Sequence, residues 1–526
     1  MKIMKTNYIR LFFTGMLIFL LYACFEDKGN YDYEYVQEVE LLEKQGGFKD
    51  TVISRGQRLA IVPNLQLLLK EGDKVKDTVE FESERYQYEW KAGQYFISSG
   101  YTILGTSRNL DTVINLPIQN DPYLIIYTVT NKESKVSRSF TFNLRVANRY
   151  ETAWLFLTEN DDQMADITIY GKEIGNTSEN PWVYEDHILE RSGFPYRGGG
   201  AKFVYYHKTI AKPVKEFIYV GTGESAGWID KSTLNWDDKK MVCWQMLDVE
   251  HNSVDFTFEH IVDNKGFLHF IASNGSIFPM GSSPFIYSAY NVLPPDVTGG
   301  KYETVKLAPM VACCGNFHSF VYDETNKRML YYEMISQNIK NNATLLKEDK
   351  FALKNHQIYW MQGYKEKLRN VIAKNLNDQK FYLYPYDYSA STEEAFEPVE
   401  IENGHLLEES AGMLDRTKQY VLDYQGGNFY FAYGDKLYVL RNNVLEEVTI
   451  LDPDNVLKDD EFNGFDPICL VTRYSTDSKI IIATYVDGIE NSGKVYFLEP
   501  ESAEPRNLKV RTYHKNMHRV KGVTKF

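Results

Sequence analysis

Ser139-Phe140-Thr141-Phe142-Asn143-Leu144-Arg145-Val146 alternates strictly between polar and apolar residues. Successive side chains on an extended strand point to opposite faces, so this octet places four apolar residues on one face and predicts a half-buried β-strand. Upstream, Tyr123-Leu124-Ile125-Ile126-Tyr127-Thr128-Val129 reads as a second strand, with Asn131-Lys132-Glu133-Ser134 as the polar turn between the two. The pair predicts a β-hairpin. Further upstream, Tyr86-Gln87-Tyr88-Glu89-Trp90 puts Tyr86, Tyr88 and Trp90 on one face. The segment from about Val36 to Asn148 is therefore read as β-structure throughout.

A buried Trp on an early-middle strand is common in immunoglobulin-like sandwiches, and a segment of this length suits one such domain. No cysteine lies in it, which excludes an inter-sheet disulfide. The order of strand, Trp90, strand and hairpin resembles PKD-like domains over residues 36–148. Asp-Thr-Val occurs three times in this module, at Asp50-Thr51-Val52, Asp77-Thr78-Val79 and Asp111-Thr112-Val113. The tripeptide resembles the O-glycan acceptor of exported Bacteroides-type proteins, in which Thr51, Thr78 and Thr112 would carry sugar. It reads equally as a turn aspartate followed by two β-formers.

Beyond Tyr150 an apolar strand, a polar turn and a second strand rich in aromatic and β-branched residues recur. The first apolar residues after the turns are Ile167, Phe217, Phe267, Met329, Phe381, Phe429 and Ile480, spaced 50, 50, 62, 52, 48 and 51 residues apart. Such a unit, with no amphipathic helix of useful length, predicts a β-propeller of about seven blades over 149–526, because sheets stacked radially bury both faces of each other. Further β-sandwiches are the rival arrangement of the same strands. The paired-glycine signature of kelch repeats is approached only by Gly199-Gly200 and Gly426-Gly427, so that label is declined. The 62-residue interval is read as holding an insertion around Pro284–Pro309.

The 526 residues include 39 Tyr and 30 Phe, which lean toward β-structure. The net charge of −14 argues against a nucleic-acid partner, since phosphate binding needs a basic surface. Five cysteines in so long a chain exclude a disulfide scaffold.

Lys2, Lys5 and Arg10, followed by the short apolar run Leu11–Leu21, read as an export signal too short to span a bilayer. Leu21-Tyr22-Ala23-Cys24 resembles the bacterial lipobox, which implies a signal peptide over 1–23 and lipid on Cys24. Residues 24–35, with Phe25-Glu26-Asp27-Lys28-Gly29-Asn30-Tyr31, then form an acidic tether that resembles the surface-export signal of Bacteroides-type lipoproteins. Cleavage removes three positive charges and no negative one, taking −14 to −17. So acidic a body needs acyl chains to hold an anionic membrane.

No hydrolase, zinc-protease or nucleotide-binding motif is present. No catalytic residue is assigned, and the chain is read as a non-enzyme. Gly221-Thr222-Gly223 reads as a turn. His514 and His518 would need a helix to share a face. Glu159-Asn160-Asp161-Asp162 with Asp166, and Asp452, Asp454, Asp459 and Asp460, are oxygen-rich loops of the kind Ca²⁺ uses, but solvated acidic loops are commoner, and no metal or other cofactor is assigned. Cys243, Cys469 and the adjacent Cys313-Cys314 are read as buried small side chains, with a vicinal disulfide as the alternative for the pair. Trp182, Trp228, Trp236 and Trp360 are candidates for stacking on a ligand and equally for the core. The tail Arg506–Phe526 carries seven Lys or Arg and no acid. It reads either as a docking strip or, from Asn507 to Tyr513, as a strand completing the last blade.

Taken together, these features resemble the PKD-like-family surface lipoproteins of Bacteroides-type bacteria. The resemblance implies an outer-membrane lipoprotein facing the cell exterior, with a SusC/SusD-type TonB-dependent transporter as partner and a peptide or glycan as nutrient. The fold expected is all-β, an immunoglobulin-like PKD-like sandwich followed by a seven-bladed β-propeller. A propeller glycosidase or lyase and a structural adhesin are the alternatives.

Overall fold

The computed structural model describes residues 38–41, 48–71, 74–79, 81–94, 100–119, 121–174, 182–209, 215–246, 254–264, 267–280, 285–286, 291–293, 295–301, 303–314, 318–333, 347–348, 353–364, 368–387, 399–400, 404–407, 411–414, 420–422, 428–441, 444–457, 464–473, 479–501 and 504–526. Cys24 and the export segment lie outside them. The chain is all-β and divides into two compact units, one holding 57–146 with the residues before Ser54, the other Ala147–Phe526 with Ser54–Gly56.

The first unit is immunoglobulin-like. One sheet orders Thr51–Ser54, Ser137–Ala147, Tyr123–Asn131, Tyr86–Gln94 and Thr102–Gly105, and a second orders Glu38–Leu41, Leu65–Glu71 and Lys74–Val79. The hairpin pairs Phe142 with Ile125 and Phe140 with Tyr127. Phe142, Leu144 and Val146 are buried on one side of the strand while Thr141 and Arg145 are exposed, as the alternation requires. Asn131 makes the turn, its Oδ1 accepting from the N–H groups of Glu133 and Ser134. Trp90 is fully buried, its ring 4.0 Å from that of Tyr127, and its Nε1 donates to the Ser107 carbonyl at 2.9 Å. Leu65 and Leu67 of the second sheet join Trp90, Ile125 and Leu144 in one core.

The second unit contains, among its described residues, seven sheets besides the small ribbon Val292–Leu293 with Glu303–Thr304. The first sheet orders Trp182–Glu185, Ala165–Glu173, Tyr150–Glu159 and, from the far end of the chain, Arg519–Lys525. The next five are antiparallel and follow chain order, built on Ala201–Lys208, Phe258–Asn264, Leu307–Cys314, His356–Tyr364 and Tyr420–Leu422 with the strands after each. The seventh orders Ile468–Arg473, Ile480–Thr484, Gly493–Glu501 and Glu504–Met517, with Thr449–Leu451 parallel to the last.

Each sheet shares an apolar cluster with the next. Ile167 and Leu155 pack on Val204 and Val220, and Tyr219 and Phe217 on Phe270. Ile271 then packs on Val321 and Leu330, and Phe320 on Val371. Trp360 and Ile372 meet Phe429 and Phe431, and Tyr430 and Val439 meet Ile480 and Ile482. A seventh cluster, Trp154 and Phe156 with Ile481, Val495 and Phe497, joins the last sheet to the first.

Two expectations need correction. From the second sheet to the seventh, the second strands begin at Glu216, Phe267, His318, Leu368, Phe429 and Ile480, intervals of 51, 51, 50, 61 and 51 residues. Met329 and Phe381 lie instead in the third strands Arg328–Glu333 and Phe381–Asp387, and Ile167 lies one strand further from Arg519–Lys525 than Tyr150–Glu159 does. Both turns of a three-stranded meander carry the same Asx-rich chemistry, and Asp323, whose carboxylate accepts from the N–H groups of Thr325 and Asn326, marks the second turn of its sheet. The stretch around Pro284–Pro309 therefore belongs to a unit of ordinary length, and the long interval falls between the fifth and sixth sheets.

The basic tail takes the strand reading, with Asn507 to Tyr513 inside Glu504–Met517 of the seventh sheet. Glu504–Met517 pairs along Gly493–Glu501, and the remaining end pairs with Tyr150–Glu159. Five of its seven cations form ion pairs, Arg506 with Glu446, Lys509 and Arg511 with Asp454, Arg519 with Asp487, and Lys521 with Glu159. His514 lies on a strand and no helix brings it to one face with His518.

Candidate functional site

The turn between Tyr150–Glu159 and Ala165–Glu173 holds the acidic run singled out in the sequence. Gln163 takes φ 60°, and Asn160 fixes the turn by accepting the Met164 N–H on Oδ1 at 2.8 Å. Glu159 faces away from this turn's opening and is spent on structure, accepting the Ala201 N–H at 2.7 Å and pairing with Lys521 at 3.1 Å. Asp161, Asp162 and Asp166 line a cavity of about 490 Å³ together with Asn160, Met164, His187, Glu190, Arg197, Tyr485, Glu490 and His518. Five carboxylates face one guanidinium, so the cavity favours cations.

Asp166 is the most buried of the five carboxylates, 8% exposed. Its Oδ1 accepts from the N–H groups of Ile167 at 2.7 Å and Leu189 at 2.9 Å, which ties the strand to the short helix Ile188–Ser192. Its Oδ2 has no hydrogen bond. His187 precedes that helix with φ 58°, which turns its ring toward the carboxylate. Its Nδ1 lies 3.6 Å from Asp166 and 3.8 Å from Glu190. Arg197 reaches Glu190 at 3.1 Å and Asp166 Oδ2 at 3.6 Å. From the seventh sheet's side, the Tyr485 hydroxyl donates to Asp161 at 2.9 Å.

His187, Glu190, Arg197 and Tyr485 were not singled out from the sequence. The only signal was His187-Ile188-Leu189-Glu190, two donors one helical turn apart. The other oxygen-rich loop does not gather a site among the described residues. Asp452 accepts from the N–H groups of Val456 and Leu457, and Asp454 holds Lys509 and Arg511, while Asp459 and Asp460 lie outside the described residues.

A second cavity of about 440 Å³ is lined by Thr168, Tyr184, Asp186, Tyr513, His514, Lys515, Asn516 and Met517. His514 is buried there, hydrogen-bonded to the Tyr184 hydroxyl and flanked by Tyr170, Phe156 and Phe497. Burial pushes its pKa down to about 4. A histidine kept neutral in the folded state and free to protonate near 6.5 when unfolded stabilises fully above pH 6.5 and loses that stabilisation as pH falls toward 4. The loss amounts to about 3 kcal/mol. His514→Gln is expected to flatten the fall of the melting temperature between pH 6.5 and 4, which thermal melts across that window would show.

Of the candidate tryptophans, Trp360 is buried against Phe429, Trp228 packs on Phe217 and Tyr219, Trp236 on Phe194 and Tyr196, and Trp182 stacks on Tyr170. None of them lines either cavity. Gly221 and Thr222 end the strand Glu216–Thr222 and Gly223 enters the turn after it, where a side chain would meet the Gly199 carbonyl oxygen at 2.1 Å. Cys243 and Cys469 are free thiols, and the side chains of Cys313 and Cys314 lie outside those described.

Residues 24–195 match the PKD-like family. The match takes in the first unit and reaches the first sheet of the second, including Asp166, His187 and Glu190. No curated protein matches the chain. Among solved structures, a quinoprotein alcohol dehydrogenase-like protein from Bacteroides thetaiotaomicron is similar at 11% identity and a TM-score of 0.36, over 93% of this chain and 98% of that one. PorZ, a surface component of the type-IX secretion system of Porphyromonas gingivalis, is similar at 11% identity and a TM-score of 0.35, over 90% of this chain and 76% of its own.

Proposed function

We propose that the chain is a surface-exposed, lipid-anchored binding subunit that works beside a SusC/SusD-type TonB-dependent transporter in the uptake of peptide or glycan. The observation that carries this reading is the Leu21-Tyr22-Ala23-Cys24 run, whose cysteine is the first residue of the stretch that matches the PKD-like family. Cleavage before Cys24 makes it the mature N-terminus and the lipid attachment point. The PKD-like unit then serves as a stalk. In this reading the second unit is a seven-bladed propeller, supported by seven sheets in sequence and by an apolar cluster linking the last to the first. A ring of this kind closes its sheet edges with a strand from the other end of the chain, the role given to Arg519–Lys525.

The two cavities supply binding surface of different chemistry, one acidic and one walled by Tyr184, Tyr513 and the buried His514. They weigh against a purely structural adhesin. Thr51, Thr78 and Thr112 remain the proposed glycan acceptors of the stalk. All three lie on its strands and none is buried.

One observation favours a second reading, a glycosidase or lyase: donor atoms of Asp166 and Glu190 lie within 4.8 Å of each other. Arg197 bridges the same two carboxylates, which suits charge storage better than proton shuttling. Release of reducing ends from polysaccharide would support the enzyme.

Fractionating cells that make Cys24→Ala tests the anchor. The variant is expected in the soluble fraction, unlabelled by radioactive palmitate, while the parent is labelled and sediments with membranes. A Cys24→Ala chain that still sediments would overturn the reading.

A further inference from the structure

The acidic cavity contains a set of donors that the binding role does not require. Among the described residues, Asp166, His187 and Glu190 form the one cluster in which three metal-ligating side chains bring their donor atoms within 4.8 Å of one another. Two of the edges are tighter, 3.6 Å from His187 Nδ1 to Asp166 Oδ2 and 3.8 Å from the same nitrogen to Glu190 Oε2. A tetrahedral ion with bonds near 2.1 Å has donor–donor edges of about 3.4 Å. The observed spacing therefore closes on such an ion with a shift of a few tenths of an ångström along these edges.

The second observation is Asp166 itself. A buried carboxylate oxygen without a hydrogen bond is costly and calls for a partner. Asp166, a lining residue of the cavity, has Oδ1 engaged by two backbone N–H groups, which hold the carboxylate in place, while its buried Oδ2 is left without a hydrogen bond. The nearest cationic group, Arg197, stands 3.6 Å from it, too far for a hydrogen bond, and spends its shorter contact on Glu190 at 3.1 Å.

We propose that Asp166, His187 and Glu190 bind a zinc-class divalent cation, with the fourth position open to the cavity. The imidazole decides the class. Ca²⁺ and Mg²⁺ take oxygen ligands, whereas one histidine with two carboxylates suits Zn²⁺ and its first-row neighbours. Arg197 holds the empty site by balancing its carboxylates and swings off Glu190 when the ion enters. It is a competitor of the metal and keeps the affinity moderate. Asp161, Asp162 and Glu490 add negative charge around the entrance and draw cations to it.

The test is titration of the metal-free full chain with Co²⁺ and Zn²⁺. Tetrahedral Co²⁺ gives strong visible bands, and Zn²⁺ should displace them while a large excess of Ca²⁺ should not. His187→Asn removes the nitrogen ligand and keeps a residue that tolerates the left-handed backbone. It is expected to abolish the bands and weaken one equivalent of Zn²⁺ by more than about a hundredfold, since even losses outside the ligand shell cost ten- to a hundredfold. Asp166→Asn is expected to do the same while retaining an acceptor for Leu189. Melting curves of the metal-free variants report whether each folds, and if Asp166→Asn does not, His187→Asn decides alone. Zn²⁺ bound equally well by the parent and His187→Asn would overturn the proposal, as would a parent that binds none or in which Ca²⁺ displaces Co²⁺.

Discussion

Removing Arg519–Phe526 is expected to abolish cooperative folding of the second unit. The segment supplies six register pairs to Tyr150–Glu159, from Trp154 with Lys525 to Glu159 with Arg519. The Phe526 and Ala153 backbones exchange hydrogen bonds at 3.1 Å in both directions. Val520 and Thr524 are buried, and Phe526 packs on Tyr206. At about 1 kcal/mol for each net hydrogen bond and 1.5–3 kcal/mol for a buried aliphatic side chain, the loss is about 5–10 kcal/mol. That equals the whole stability of a typical domain. Deletion also bares the edge of Tyr150–Glu159 and opens the cluster shared by Trp154, Phe156, Ile481 and Val495. Calorimetry of the truncated chain should show the second unit's transition gone, with aggregation in its place and the first unit's transition kept. A truncated chain that melts like the parent would show that the last strand does not close the unit.

Trp90→Ala is expected to have the next largest effect, on the first unit. Trp90 is fully buried, stacks on Tyr127 and is met edge-on by Phe48 at 5.7 Å. Truncating a buried aromatic costs about 3–5 kcal/mol, because the cavity left behind closes only in part. The change also strands the Ser107 carbonyl that the indole N–H served. A unit of some hundred residues has little stability to spare. Its transition should fall by more than 15 °C or vanish, while the second unit's melting stays unchanged. Trp90→Phe, which fills most of the volume, should recover much of the loss. A first unit that tolerates alanine without a shift would contradict the core described.

What was legible in the sequence follows from how local the signal is. Ser139–Val146 could be read without a structure because burial on one face writes itself as period two. The repeat could be recognised but not phased: Asp323 and Asn377 introduce third strands, while Asp263, near the end of Phe258–Asn264, introduces a second, and the turn chemistry is the same. Phasing needs the pairing partner, and that is non-local. The destination of the tail was half legible. Asn507 to Tyr513 alternates like a strand, yet nothing local says that Arg519–Lys525 pairs with a strand some 370 residues earlier.

The candidate site divides along the same line. Asp161, Asp162 and Asp166 stood out as a run of carboxylates in one turn. His187 and Glu190 sit just before and within a five-residue helix that shows no periodicity, and they meet Asp166 because its carboxylate accepts the Leu189 N–H. Tyr485 and His518 arrive only through the junction of the seventh and first sheets. A site assembled from strands at the two ends of a unit cannot be read from the segments that it joins.

The proposed role of the chain is that of a lipid-anchored partner of a transporter. Affinity purification of the tagged chain from detergent-solubilised outer membranes tests it most directly, with Cys24→Ala as the unanchored control. Co-elution of a TonB-dependent transporter and its SusD-type lid with the parent chain, and their loss with the control, is the expected result. Recovery of the parent chain alone, from membranes in which that transporter pair is present, would contradict it.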